Sequence, residues 1–224
     1  MIELYHCPDA RSFRALWALE ELGLAYTLHL LPFPPRVRAP EYLEVNPLGT
    51  IPALIDGETF MTESAAIVQY LVTRHGPSEL AVPLDDPRHG AWLNWLHFGE
   101  ATLTFPQTLV LRYGRFEPAE RKQPQVVEDY SRWFLARLRA VETALTHSRS
   151  DHLCAGRFTA ADVAVGYALL LAQHLGLDVQ FGLATQAYWQ RLQQRPGYQR
   201  AMAAQVRAAE EQGVPTTPAP DTRP

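Results

Sequence analysis

The chain has 224 residues, of which 47% are apolar and 20% are charged, and its formal net charge is −4. This length and balance suit one large domain or two small ones with a well-packed core. The absence of a run of basic residues argues against a nucleic-acid-binding protein, and no apolar run reaches the roughly 18 residues that span a membrane.

The first 76 residues predict strands and helices in alternation. A strand–helix–strand order implies a right-handed crossover and a parallel pair, and a hairpin at Asp56-Gly57 adds antiparallel strands. We therefore expect a small mixed sheet with helices on its faces. The predicted strands cover residues 2–7, 25–31, 50–55 and 58–61, and the predicted helices cover residues 11–23 and 63–76.

The pattern changes after residue 76. Prolines within residues 77–87 indicate a linker, and no strand pattern follows them. The tail of residues 213–224 has too little apolar content to pack, so we expect it to be disordered. The sequence thus predicts an α/β domain over residues 1–76 and an all-α domain over residues 88–212. The predicted helical stretches of the second domain are residues 88–113, 123–146, 159–176 and 185–212, the last with a break at Pro196.

The cysteine content and the N-terminal residues indicate a compartment. Cys7 and Cys154 are too few for a disulfide framework and fit a reducing environment. The start, MIELYHCPDA, has no basic segment followed by an apolar one, which argues against a secretory signal. We therefore expect a cytoplasmic protein.

Three motifs carry a family resemblance. Residues 46–54 read NPLGTIPAL, residues 62–64 read TES at a predicted helix start, and residues 158–168 read FTAADVAVGYA. With the order of elements, these motifs resemble those of the cytosolic glutathione S-transferases. The resemblance extends over nearly the whole chain. It implies a thioredoxin-like α/β N-terminal domain that binds glutathione, followed by an all-α helical bundle.

The resemblance implies a glutathione site on two segments. Pro52 would be the family's cis-proline, a state found in only about 5–6% of X–Pro bonds. The backbone of Ile51 would pair with the cysteinyl part of glutathione like an added strand, and Thr50 precedes it where the family often has lysine. Ser64 would hold the γ-glutamyl carboxylate at a helix N-terminus, and Glu63 would receive the amino group beside it.

Three residues near the first helix are candidates for activating the glutathione thiol. Lowering the pKa of a thiol by two units takes about 2.7 kcal/mol. Ser12 could donate a hydrogen bond to the sulfur, and Arg11 could stabilise the thiolate by its charge. Cys7 begins a Cys-Pro-x-Ala sequence that resembles omega-class members, in which the cysteine itself forms a mixed disulfide with glutathione. The sequence leaves these candidates open.

The resemblance implies a detoxifying glutathione transferase, a homodimer that joins the glutathione thiolate to small hydrophobic electrophiles. One alternative is a glutathione-dependent thiol–disulfide oxidoreductase that uses Cys7. Another is a non-catalytic glutathione-binding or interaction module, since a fold does not settle a function. An apolar stripe that includes Phe105, Leu109 and Tyr113 could line the electrophile pocket, or it could be core or dimer interface. No histidine spacing suits zinc, so we expect glutathione as co-substrate and no metal.

Overall fold

The computed structural model describes residues 1–148 and 150–218. Contacts divide the described chain into two units. The first contains residues 1–78 together with the described residues from 194 onward, and the second contains the described residues of 79–193.

Among the described residues, four strands form one sheet in the order β2-β1-β3-β4. The strands are β1 (Ile2–His6), β2 (Tyr26–Leu30), β3 (Ala53–Asp56) and β4 (Thr59–Met61). β1 is parallel to β2 and antiparallel to β3, and β4 is antiparallel to β3. Leu4 lies opposite Leu28 on one side and Leu54 on the other. The predicted mixed sheet is confirmed.

The helices follow the predicted stretches closely. In chain order they are α1 (Phe13–Leu22), α2 (Pro35–Arg38), α3 (Ser64–Arg74), α4 (His89–His97), α5 (Phe105–Leu111), α6 (Pro124–His147), α7 (Ala160–His174), α8 (Leu183–Gln193) and α9 (Pro196–Glu211). Segments Phe98–Thr104 and Arg112–Phe116 are π-helical, and Pro40–Glu44, Ala119–Arg121 and Asp178–Gln180 are 3-10 turns. None of the helices within the described ranges is long and apolar enough to cross a membrane.

The last helix, α9, packs against α1 and β2 of the first unit. At its start, Arg195 donates two hydrogen bonds to the carboxylate of Glu21 in α1, at 2.8 and 2.9 Å. Just after its end, the side chain of Gln212 accepts from the backbone N–H of Leu30 and donates to the carbonyl of Leu28, both at 2.8 Å. These bonds satisfy backbone groups of the edge strand β2 that would otherwise lack a partner in the sheet.

The contacts of α9 differ from our expectation for residues 88–212, which placed this helix with the helical domain. Its apolar face covers α1 and β2, so it lies with the sheet. The expected disordered tail also differs in its described part, because Val214 packs against Leu30 and Ala209 and donates a backbone hydrogen bond to Ala209. Residues 219–224 of that tail lie outside the described residues.

In the second unit, α7 is buried along nearly its whole length. It begins with a capping box, in which Thr159 and Asp162 each bond the other's backbone N–H. The fully buried Asp162 also accepts hydrogen bonds from Tyr188 at 2.8 Å and from the backbone of Leu153 at 3.2 Å. The helix start predicted from residues 158–168 is confirmed.

Gly99 generates a stability prediction, because an ideal Cβ there would lie 2.6 Å from the backbone carbonyl of Ala164 in α7. Backbone cannot rotate away as a flexible side chain can. We expect Gly99→Ala to lower the free energy of unfolding by about 1–3 kcal/mol, as overpacking does, measured by denaturant unfolding.

Gly90 in α4 is the matched control, since an ideal Cβ there meets no atom within 4 Å. Gly90→Ala should leave stability unchanged or raise it by up to about 1 kcal/mol, because alanine favours a helix. Equal stability of the two variants would show that the close approach of Gly99 to α7 carries no energy.

Candidate functional site

The N-terminus of α3 brings together two residues predicted to hold the γ-glutamyl end of glutathione. Glu63 is the N-cap residue and is exposed, whereas Ser64 begins the helix and is buried. No acidic residue lies in the first turn of α3. The positive end of the helix dipole at this point is therefore not offset by a carboxylate inside the turn.

A buried arginine lies beside this helix end. Nη1 of Arg14, in α1, donates a hydrogen bond to Oγ of Ser64 at 3.1 Å, and the Arg14 side chain is 0% exposed. An arginine side chain stays protonated in proteins, so it brings donors and positive charge to the start of α3. Arg14 was not predicted from the sequence as a site residue. The pattern that could have indicated it is a charged residue inside the apolar run FRALWAL.

The loop before β3 holds the other predicted glutathione contacts. The Ile51–Pro52 bond is cis, as predicted. The carbonyl of Thr50 accepts hydrogen bonds from the Asn46 amide at 2.7 Å and from the Tyr42 hydroxyl at 2.8 Å. Two buried side chains thus fix the peptide that precedes Ile51, which is itself half-buried.

Gly49 shapes the same loop. Its φ is 59°, and a Cβ there would lie 2.6 Å from Cβ of Arg36. Both the left-handed backbone and the close approach require glycine at this position. The turn predicted from NPLG therefore needs its glycine, because any side chain at position 49 would be strained and would collide with Arg36.

The three candidates for thiol activation differ in accessibility. Cys7 is 0% exposed, and burial raises the pKa of its thiol to about 12. Ser12 is also 0% exposed; its Oγ lies 2.7 Å from Nδ1 of His6 and accepts from the backbone N–H of Cys7 at 3.4 Å. Arg11 is partly exposed. Burial thus withholds from solvent the Cys7 thiol and the Ser12 hydroxyl, which their expected roles require to be accessible.

The residues expected to line an electrophile pocket belong to the second unit. Phe105, at the start of α5, is 52% exposed, while Leu109 and Tyr113 are half-buried. The guanidinium of Arg112 lies 5.6 Å from the centroid of the Tyr113 ring. Across the part of the chain that the structure describes, no cluster of three or more His, Cys, Asp or Glu side chains could hold a metal ion.

Comparison with known proteins supports the family. A family model described as the glutathione S-transferase N-terminal domain matches residues 4–79. The chain is 27% identical to glutathione S-transferase GstA of Escherichia coli O157:H7 over 209 residues, which is 91% of this chain and 98% of that protein. It is 36% identical to glutathione S-transferase 3 of Schizosaccharomyces pombe over 103 residues, which is 46% of this chain and less than half (43%) of that protein.

Solved structures give the same result. The chain superposes on BphK, a bacterial glutathione S-transferase in a ternary complex, with a TM-score of 0.79 and 27% identity, covering 90% of this chain and 98% of that one. It superposes on Ure2p in complex with glutathione with a TM-score of 0.79 and 25% identity, covering 89% and 97% of the two chains.

Sheet, helices and motif-bearing loops together define a thioredoxin-like β/α domain followed by an all-helical domain, the glutathione S-transferase fold. Residues 4–79 match the glutathione S-transferase N-terminal domain, and over about 90% of its length the chain is similar to bacterial glutathione S-transferases.

The buried His6 beside Ser12 generates a prediction. Burial lowers the pKa of His6 from 6.5 to about 4. The native side chain should stay neutral while pH falls from 6.5 towards 4, whereas the unfolded chain takes up a proton over this range. His6 therefore contributes a stability that is present above pH 6.5 and is lost as pH falls towards 4. NMR titration of the His6 ring should show a midpoint near pH 4.

The measurement follows the His6 ring and not the overall stability of the protein. Burial raises the pKa of Asp162, so the contribution of Asp162 to stability changes with pH in the opposite direction. The control is the same protein in denaturant, where the His6 midpoint should return to about 6.5. A native midpoint near 6.5 would contradict the buried, neutral imidazole.

Proposed function

We propose that this protein is a glutathione transferase that joins the glutathione thiolate to small hydrophobic electrophiles. The observation that carries the proposal is the hydrogen bond from the buried Arg14 to Ser64 at the N-terminus of α3. A protonated guanidinium, a hydroxyl and a helix N-terminus converge there, and all three favour an anionic ligand.

The γ-glutamyl end of glutathione would bind at this helix start. Its carboxylate would accept from the Ser64 hydroxyl and the first N–H groups of α3, and its ammonium would face the exposed carboxylate of Glu63. The cysteinyl part would lie along Thr50 and Ile51 next to Pro52, and pair with the backbone of Ile51 as an added strand does.

Arg11 is our choice for thiol activation. It is the candidate that reaches solvent, and a positive charge within about 4–6 Å lowers the pKa of a group that ionises to an anion by about 1–3 units. The thiol would release its proton to solvent, and the thiolate would then attack the electrophilic carbon. The new C–S bond would replace the bond to a leaving group, which for a chloronitrobenzene departs as chloride. Ser12 is buried against His6, so it would not contact the sulfur directly.

The oxidoreductase alternative is not favoured by the structure. It requires Cys7 as an accessible thiolate, but burial keeps that thiol neutral, with a pKa of about 12. The electrophile would be apolar, with Phe105, Leu109 and Tyr113 as candidate contacts. A role in detoxification and a homodimeric state are part of the proposal through the family resemblance.

Ser64→Ala tests the proposed glutathione site. Loss of a hydrogen bond to a charged group costs about 1.5–3 kcal/mol, so the Kd for glutathione should rise about 10- to 100-fold. Calorimetric titration measures it, and a circular-dichroism spectrum shows whether the variant is folded.

Thr73→Ala is the matched control, because Thr73 lies on the same helix, is exposed, and bonds the Gln69 carbonyl at 2.8 Å. Its Kd should equal that of the wild type. If Ser64→Ala and the wild type bind glutathione with equal Kd, Ser64 does not contact glutathione. Wild-type binding without turnover of a chloronitrobenzene would favour a non-catalytic glutathione-binding module.

Arg11→Gln tests thiol activation. We expect the pKa of the bound glutathione thiol, followed by its ultraviolet thiolate absorbance, to rise by about one unit. The value of kcat/KM at neutral pH should fall about tenfold, since one pKa unit is about 1.36 kcal/mol. Arg207→Gln, an exposed change of the same charge on α9, should change neither quantity.

Cys7→Ala separates the two enzyme classes. For a transferase, kcat/KM for conjugation should change by less than about threefold, well under 1 kcal/mol of transition-state stabilisation. If Cys7→Ala abolishes disulfide reduction while Arg11→Gln stays active, the chemistry belongs to Cys7.

A further inference from the structure

The side chain of Gln205, in α9, reaches into the loop that carries all three activation candidates. Gln205 is 1% exposed. Its Oε1 accepts from the backbone N–H of Asp9 at 3.1 Å, and its Nε2 donates to the Asp9 carboxylate at 2.6 Å. Asp9 has a φ of 52°, and this left-handed backbone turns its N–H and its side chain towards the same amide.

These bonds fix which end of the Gln205 amide faces which group. A backbone N–H can only donate, so the Gln205 atom that it meets must be the oxygen. Nε2 of His6 lies 2.9 Å from that same oxygen, and it must therefore carry a hydrogen. The orientation of Gln205 thus selects the tautomer of His6.

The tautomer of His6 in turn sets the direction of the Ser12 hydroxyl. His6 is neutral because burial lowers its pKa to about 4, so its Nδ1 has no hydrogen and can only accept. The Ser12 hydroxyl, 2.7 Å away, donates to it. Its single hydrogen is then committed to the interior and cannot also be donated to a thiolate.

We propose that Gln205 is a positioning residue for thiol activation: it holds the loop of residues 7–12 and turns the Ser12 hydroxyl inward, so that the glutathione sulfur meets Arg11. This inference rests on the proposed function. It makes the chemistry of an N-terminal loop depend on a side chain 199 positions after His6 in the sequence.

A second glutamine offers a matched control. Gln212 also ties the α9 region to the sheet, because its side chain bonds the backbone of Leu28 and Leu30 in β2 and not the loop of residues 7–12. Losing Gln205 removes three hydrogen bonds, to His6 and Asp9, and losing Gln212 removes two, to Leu28 and Leu30. An effect on the thiol that appears for Gln205 and not for Gln212 is therefore due to the loop and not to the general attachment of α9.

The experiment compares the full-length wild type, Gln205→Met and Gln212→Met. In the ligand-free wild type, ¹⁵N NMR of His6 should show hydrogen on Nε2 and none on Nδ1. Gln205→Met releases the loop that carries Arg11, so Arg11 should no longer lie beside the glutathione sulfur. The pKa of the bound glutathione thiol should then rise by about one unit, and kcat/KM at neutral pH should fall about tenfold. The Kd should change less than about threefold, since Ser64 is untouched.

Gln212→Met should keep the wild-type thiol pKa and His6 tautomer even where it unfolds at a lower temperature. Asp9→Asn, which keeps an oxygen for Gln205 and tolerates the left-handed backbone, should keep the tautomer as well. An unchanged thiol pKa in Gln205→Met would overturn the positioning role.

Hydrogen on Nδ1 of His6 in the wild type would overturn the role too, and this measurement needs no variant to fold. A wild type that shows the expected tautomer but does not bind glutathione would overturn the proposed function, and the positioning role with it. The tautomer, measured without ligand, tells that failure apart from an error in the hydrogen-bond chain.

Discussion

His6 lies on the buried face of β1, the same face that carries the apolar side chains of Ile2 and Leu4. An imidazole buried there costs free energy unless both of its nitrogens find partners, and the surroundings keep it neutral. Ser12 supplies one partner and Gln205 the other, at 2.7 and 2.9 Å. The two hydrogen bonds of His6 thus connect the end of β1 with the start of α1 and with the middle of α9. Because a half-satisfied buried network is costly, the loop between Cys7 and Ser12 has little freedom to rearrange.

The same principle operates at the start of α3. Arg14 is buried although it is charged, and its bond to Ser64 connects α1 with the first residue of α3. This hydrogen bond therefore adds to the packing that holds α1 against α3. The two ends that would meet glutathione, the loop after β1 and the start of α3, are therefore both fixed from the interior. Such support is what a binding site needs if its geometry is to be set before the ligand arrives.

Local patterns predicted the fold well, because they depend on neighbours in the sequence. The strand alternation of β1, the helical spacing of α1, the NPLG turn and the capping box at Thr159 are properties of a few consecutive residues. The candidate site was predictable where a motif marks backbone geometry, as at Ile51–Pro52. The bonds that hold the loop of residues 7–12 were not predictable, since Gln205 comes from the distant helix α9, and neither was the role of Arg14. A charged residue in an apolar run signals a buried partner, but its sequence does not say which residue that partner is.

The family model matches residues 4–79, whereas the first unit by contacts also contains α9. The matched segment includes Cys7, Arg11, Ser12 and Ser64, but Gln205 lies far outside it. Two family members could therefore share every motif of the N-terminal module and still orient the hydroxyl after β1 differently, because the group that selects the histidine tautomer comes from the last helix. The N-terminal motifs are the basis of the proposed glutathione site. In our proposal, the groups that meet its thiol depend in addition on what α9 presents to the buried side of that loop.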